Sequence, residues 1–270
     1  MTTFLFWNIN QKALEDNISN LAVEHEVDVL VLAECTIHPS IMLKTLNPPR
    51  DTQFHLTYSL CEKIVIYTRF SEEFIQPVLE TNRLTVRRLV LPARTEILLV
   101  GIHFLSKLYW SEESQSFQCA ELARIIREVE EKEGHSRTLL VGDLNMNPFE
   151  GGLIAASGLH AVMTRETALK KERTVQDKRY TFFYNPMWGH FGDRTQGPPG
   201  TYYYESAEQK TFFWNMFDQV LVRPDLLPFF SGDDLKILSQ DSTKSFLSAK
   251  GIPDKAAVSD HLPILFKLNH

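Results

Sequence analysis

Three cysteines in 270 residues, Cys35, Cys61 and Cys119, are too few and too scattered to frame the chain. They form no C-x-x-C pair, which excludes a disulfide scaffold and a structural zinc site of ordinary spacing, and suits a reducing compartment. No apolar run reaches membrane-spanning length. The first residues, MTTFLFWNINQK, lack the basic lead and small-residue cleavage site of a secretory signal, so the sequence predicts a cytoplasmic protein. Positive charge is also scarce: 28 Lys and Arg stand against 34 Asp and Glu, a formal net charge of −6. A protein held to nucleic acid by bulk charge is therefore not expected, whereas an enzyme that handles phosphate beside a bound cation needs basic residues only locally. There is no internal repeat, low-complexity tract or clear linker. The turn cluster Gly197-Pro198-Pro199-Gly200 lies within strand-like sequence of unchanged character, so one domain over residues 1–270 is expected.

What is present is an ordinary globular composition, 43% hydrophobic and 23% charged. Residues 4–9 and 27–33 are short, nearly continuous apolar runs of the kind found in strands buried on both faces. Similar runs cover 63–68, 84–91, 96–104, 138–141, 217–222 and 262–268. Helical spacing of apolar residues predicts helices over 13–25 and 114–131, the second stopped by Gly134. Strand-like runs dominate without clean alternation, which predicts an α+β fold with two sheets face to face and helices outside.

The chemistry-bearing residues fall at the ends of these runs. Asn8 closes the first, Glu34 the second, and His103 lies near the end of the 96–104 run. Asp143 and Asn145 follow TLLVG, Asp218 opens the 217–222 run, and Asp260 and His261 precede the last. Alone, each has a plain reading: Asp and Asn favour turns, and a histidine among apolar neighbours is commonly a core residue. Together, strand ends on one rim can converge on a single cleft. Carboxylates and amides gathered there make a hard-cation site suited to Mg2+ or Mn2+. Such a cation polarises a phosphoryl oxygen, a free carboxylate can deprotonate water, and a histidine held by a second carboxylate can stabilise phosphate charge. The expected chemistry is metal-dependent hydrolysis of a phosphate ester.

These residues sit in short motifs: WN at 7–8, AE at 33–34, GIHF at 101–104, GDLNMNP at 142–148, FDQVLV at 217–222 and SDHLP at 259–263. In this order the set resembles the endonuclease/exonuclease/phosphatase superfamily, the DNase I-like proteins. The resemblance implies a four-layer α/β/β/α sandwich with two mixed sheets. It implies Glu34 as the main metal ligand, supported by Asn8 and Asp260. Asp143 resembles the aspartate that activates water, and Asn145 the amide that holds a phosphate oxygen. His261 resembles the phosphate-contacting histidine oriented by Asp218, and His103 the histidine on the opposite side. Where the family usually has glutamine before the metal glutamate this chain has Ala33, which implies altered tuning of the site.

The inositol 5-phosphatase branch carries Trp before the GD motif and ends in W-C-D-R; here Leu140-Val141 and Phe217-Asp218-Gln219 stand instead. The Tyr-x-Pro-Asn element of apurinic endonucleases is replaced by His103-Phe104. The expected substrate is therefore a phosphodiester in DNA or RNA. The alternatives are a phosphatase or phosphodiesterase acting on a small molecule or lipid headgroup, and an inactive binding module. Lys170, Lys171 and Arg173, in a basic segment over 165–179, are candidate backbone contacts, although a solvated face is the default for such a run. Trp188 belongs to an aromatic-rich stretch on which a base could stack, or which serves as hairpin packing.

Overall fold

A computed structural model describes residues 1–48 and 53–270. Strand Thr2–Asn8 lies at the centre of a six-stranded sheet. It pairs parallel with Val29–Ala33 and antiparallel with Ile264–Leu268, while Val29–Ala33 pairs antiparallel with Ile64–Thr68. The second sheet has seven strands. At its heart Ile97–His103 runs parallel to Thr138–Asp143, which pairs antiparallel with Asp218–Val222. Toward one edge follow Leu84–Leu89 and Ile75–Glu80.

The period-two alternation of strand side chains builds three cores from these two sheets. Phe4, Phe6, Val29 and Val31 from the first sheet meet Ile97, Leu99, Leu139, Val141 and Val220 from the second. The opposite face of the first sheet, with Leu5, Trp7, Leu30 and Leu32, packs against Ile18, Leu21 and Met42 of helices Glu15–Glu24 and Pro39–Leu46. The outer face of the second, with Leu98, Val100, Ile102 and Leu140, packs against Leu122, Ile126 and Val129 of helix Glu112–Glu133. This is an α/β/β/α sandwich. Burial on both faces is why the central strands are apolar through their middles, with polar residues at their ends, each large side chain contributing about 1.5–3 kcal/mol. The long helix starts at Ser111, whose side chain accepts from the Ser114 amide, and stops at Gly134, whose φ of 74° suits glycine.

Strand polarity positions the site. The C-terminal ends of Thr2–Asn8, Val29–Ala33, Ile97–His103 and Thr138–Asp143 share a rim with the N-terminal ends of Asp218–Val222 and Ile264–Leu268. Register fixes the neighbours: Asn8 pairs with Ala33, and Asp143 lies between His103 and Asp218. No helix among the described residues is long and apolar enough to cross a membrane.

Candidate active site

Asp143 occupies the middle of the rim and is almost fully buried. Its Oδ1 accepts from the Asn145 amide at 2.9 Å, and its Oδ2 accepts from Asn8 Nδ2 at 3.0 Å. The preceding Gly142 is required sterically: a Cβ there would lie 1.9 Å from the Ile102 carbonyl oxygen. The glycine of the GD pair thus lets strand Ile97–His103 approach closely enough to set His103 beside Asp143. Asn145 adopts a φ of 50°, in the left-handed region that asparagine tolerates, and its side chain donates to the Phe104 carbonyl at 3.2 Å.

Two histidines face Asp143 from either side. His103 Nε2 lies 3.6 Å from Asp143 Oδ2 and 3.3 Å from Glu34 Oε1. Burial lowers the affinity of His103 for a proton, against the opposing pull of Asp143 and Glu34. On the other side His261 Nε2 lies 3.8 Å from the same Asp143 oxygen, while its Nδ1 and Asp218 Oδ2 are hydrogen-bonded at 2.8 Å. Burial would lower the pKa of His261, but the carboxylates of Asp218 and Asp143 outweigh it and hold the ring at about 10. Burial raises the pKa of Asp143, opposed by His261. The pair is thus a carboxylate made more basic beside an imidazolium made more persistent.

Glu34 is bent into the rim by a φ of 50°, a backbone state that non-glycine residues rarely hold and that clusters at functional sites. Its carbonyl accepts from the Gln11 amide, and the Ala33 carbonyl from the Ile9 amide, so the two strand ends are clamped together. Asp260 is partly exposed, yet its Oδ1 is shielded and without a partner, as is Asp218 Oδ1. Asp260 acts through its charge on His261 and on Tyr202, whose phenol is pushed up to about 12 by burial and then by Asp260. Ligand atoms of Asp143, Asp218 and His261 lie within 4.8 Å of one another, close enough for this trio to hold a metal ion, although His261 Nδ1 is already engaged by Asp218.

Eight rim residues singled out by sequence, Asn8, Glu34, His103, Asp143, Asn145, Asp218, Asp260 and His261, therefore belong to one cluster. The basic segment does not join them. Lys171 is exposed and pairs with Asp225 at 2.8 Å. Asp225 lies past the far end of strand Asp218–Val222 and also accepts from Ser136, which precedes strand Thr138–Asp143. Both contacts belong to the opposite end of the sandwich. Lys170 is exposed beside it, and Arg173 Nε donates to His160 Nε2 at 2.8 Å. Arg173 and Trp188 line a separate pocket of about 380 Å³ with His160 and Phe182. The Trp188 ring lies 6.3 Å from that of Phe149.

Several supporting residues escaped the sequence reading. Trp7 Nε1 donates to the His261 carbonyl at 2.9 Å, and Ser259 Oγ donates to the Asn8 carbonyl at 2.8 Å while accepting from the His261 amide. Thr201 Oγ1 accepts from the Asp218 amide, and the ring of Tyr202 lies 4.7 Å from that of His261. Trp7 and Ser259 stood inside motifs already noted and Tyr202 in the aromatic-rich stretch, whereas Thr201 itself carries no signal in the sequence.

Solved structures share this architecture. A 3′ phosphatase from Neisseria bound to a product DNA hairpin is 14% identical, with 100% of both chains covered and a TM-score of 0.60. TDP2 from D. rerio, complexed with single strand DNA product, is 14% identical over 100% of this chain and 99% of that one, with a TM-score of 0.57. An AP endonuclease from Archaeoglobus fulgidus is 13% identical, with 100% of both chains covered and a TM-score of 0.56. No curated protein sequence matches the chain. The model of the Endonuclease/Exonuclease/phosphatase family matches residues 5–261, a span that contains every residue of the rim cluster, and the chain belongs to that family of phosphoester hydrolases.

Proposed function

We propose that this phosphoesterase is a magnesium- or manganese-dependent nuclease of the cytoplasm, formed by one domain over residues 1–270 and cleaving phosphodiesters in DNA or RNA. The observation that carries the reading is the pair of histidines flanking one buried carboxylate, Asp143, within 3.6 and 3.8 Å. The neighbours that carry DNA, from Neisseria and D. rerio, support nucleic acid as the substrate. The three free cysteines support a reducing compartment.

In this reading Asp143 takes the proton of the attacking water. Its raised proton affinity suits it to that task, and the donors Asn8 and Asn145 aim its oxygens. His261, protonated through neutral pH and fixed by Asp218, stabilises the negative charge that builds on the phosphoryl oxygens. Asn145 keeps a second amide hydrogen for a phosphate oxygen, and His103 contacts the phosphate from the opposite side. The shielded, unpartnered Asp260 Oδ1 and the oxygen chemistry of the rim fit a hard divalent cation held by Glu34, Asn8 and Asp260. Bound there, such a cation would neutralise phosphate charge and favour departure of the leaving oxygen.

The testing experiment is a panel of single- and double-stranded DNA, RNA and phosphomonoesters, each with magnesium, manganese or excess chelator. Metal-dependent cutting of at least one nucleic acid is expected. Turnover of phosphomonoesters with no nucleic acid cut would transfer the site to the small-molecule or lipid-headgroup reading, and full turnover by metal-free protein in chelator would remove the cation.

A further inference from the structure

Two segments rise from the cleft, and both carry exposed aromatic side chains. The first, residues 104–111, leaves directly from His103 and is tied down at its base. The Phe104 amide donates to the Asp143 carbonyl, and Gln115 Nε2 donates to the Leu105 carbonyl. Beyond that base it presents Leu108, Tyr109 and Trp110, with Tyr109 84% exposed. The second is the hairpin of strands Tyr202–Tyr204 and Phe213–Asn215, whose Tyr202 bridges to His261. It presents Tyr204, Phe212 and Phe213. Phe213 holds a φ of 58°, a conformation rare for a bulky residue. Five of the seven exposed Tyr, Trp and Phe side chains among the described residues stand on these two arms. A continuous row joins the bases of the arms across the cleft: Lys107 lies over the Phe217 ring at 5.7 Å, Phe217 stacks on Tyr202 at 5.1 Å, and Tyr202 lies against His261.

Charge points the same way. Lys107, the cation in this row, is already paired with Glu150. In the basic segment, Lys171 is paired with Asp225 and Arg179 with Glu172. The chain carries a net charge of −6. A duplex hides its base faces and is held chiefly through its phosphates, whereas an unpaired strand offers π-faces to aromatic side chains. Resting on the nuclease reading above, we propose that the strand held across the cleft is single-stranded, gripped by stacking of its bases on Tyr109 and Trp110 to one side of the scissile phosphate and on Phe212 and Phe213 to the other.

The test uses the Asp143→Asn protein, which holds substrate without cutting it, titrated with a labelled 12-mer as single-stranded DNA, single-stranded RNA and duplex DNA at several salt concentrations. Single strands are expected to bind at least ~10-fold tighter than duplex, with a shallow salt slope, because stacking is worth about tenfold or more per base and releases few counterions. Adding Tyr109→Ser with Trp110→Ser, or Phe212→Ser with Phe213→Ser, should each weaken single-strand binding about tenfold without moving the melting temperature. Tyr109→Phe with Trp110→Tyr should restore it. Duplex bound as tightly as single strand, or Ser variants that bind like the parent, would overturn the proposal while leaving the nuclease reading intact. Failure of every nucleic acid to bind, with phosphomonoesters still turned over by the parent enzyme, would overturn both.

Discussion

His261 and Asp218 are joined by a 2.8 Å hydrogen bond between Nδ1 and Oδ2, and the Asp218 side chain is fully buried. The bond fixes which imidazole nitrogen faces the aspartate and leaves Nε2 directed at Asp143. Burial works against a charged ring, and the two carboxylates outweigh it, so His261 stays protonated to about 10. Asp218→Asn removes the nearer carboxylate and should lower the ring's titration toward its ordinary value, with turnover falling in parallel. NMR titration of the His261 ring in metal-free protein reads the first effect. The stability linkage has a definite sign. A folded-state pKa above the unfolded one stabilises below pH ~6.5 and is lost as pH rises to about 10, so the advantage of the parent over His261→Ala should shrink across that window.

Asp143→Asn and His261→Ala should each lower turnover at least ~100-fold, a loss typical of a positioned base or charge stabiliser. The two differ in their effect on the fold. Asp143 accepts from both Asn8 and the Asn145 amide, and an asparagine in its place satisfies only one of these donors. The other is left unpaired at a cost of about 1–3 kcal/mol, partly offset by removing a buried charge. Melting temperatures measured beside turnover should fall modestly for Asp143→Asn and further for His261→Ala, which leaves the buried Asp218 carboxylate without its partner; parental activity in either folded variant would deny it its role.

Gly142→Ala tests the close approach that seats His103 beside Asp143. Its Cβ would meet backbone, the Ile102 carbonyl at 1.9 Å, so the two parallel strands must separate. The expected cost is at least about 1–3 kcal/mol in denaturant midpoint, with a fall in turnover although no chemical group has been removed. A variant as stable and active as the parent would mean that the strands part freely there.

Neutralising Lys170 and Lys171 should leave turnover and the salt dependence of oligonucleotide binding near parental, because Lys171 is committed to Asp225 at the end of the sandwich away from the rim. Binding measured at a series of salt concentrations decides the point: a slope reduced by about one per lysine would bring that segment into contact with the strand.

Much of the fold was legible because the central strands are buried on both faces and read as strand-like, largely apolar runs. The run at 27–33 contains strand Val29–Ala33, and that at 84–91 contains Leu84–Leu89. Edge elements were not legible. Strand Ile75–Glu80 holds Pro77 at a register shift, and proline argues against a strand unless the strand lies at an edge. Helix Pro39–Leu46 is only 8 residues long, and its one signal was proline in the first turn. Hairpin Glu172–Val175 with Lys178–Thr181 is hidden in a sequence that reads simply as basic. At the site, residue types and their order at strand ends pointed to the cluster. The clamps around it could not be read, because Trp7 reaches a carbonyl 254 positions away and Asn8 a carboxylate 135 positions away.

The pairing of Thr2–Asn8 with Ile264–Leu268 makes the centre depend on residues far apart in the order of synthesis. A ribosome delivers Asn8 and Glu34 long before His261, and without Ser259 and His261 the Trp7 indole and the Asn8 carbonyl also lack their partners. A chain that stops short of Ser259 therefore carries the carboxylates of Glu34 and Asp143 with no His261 beside them. The cluster is complete only when strand Ile264–Leu268 has paired with Thr2–Asn8 and brought His261 to the rim.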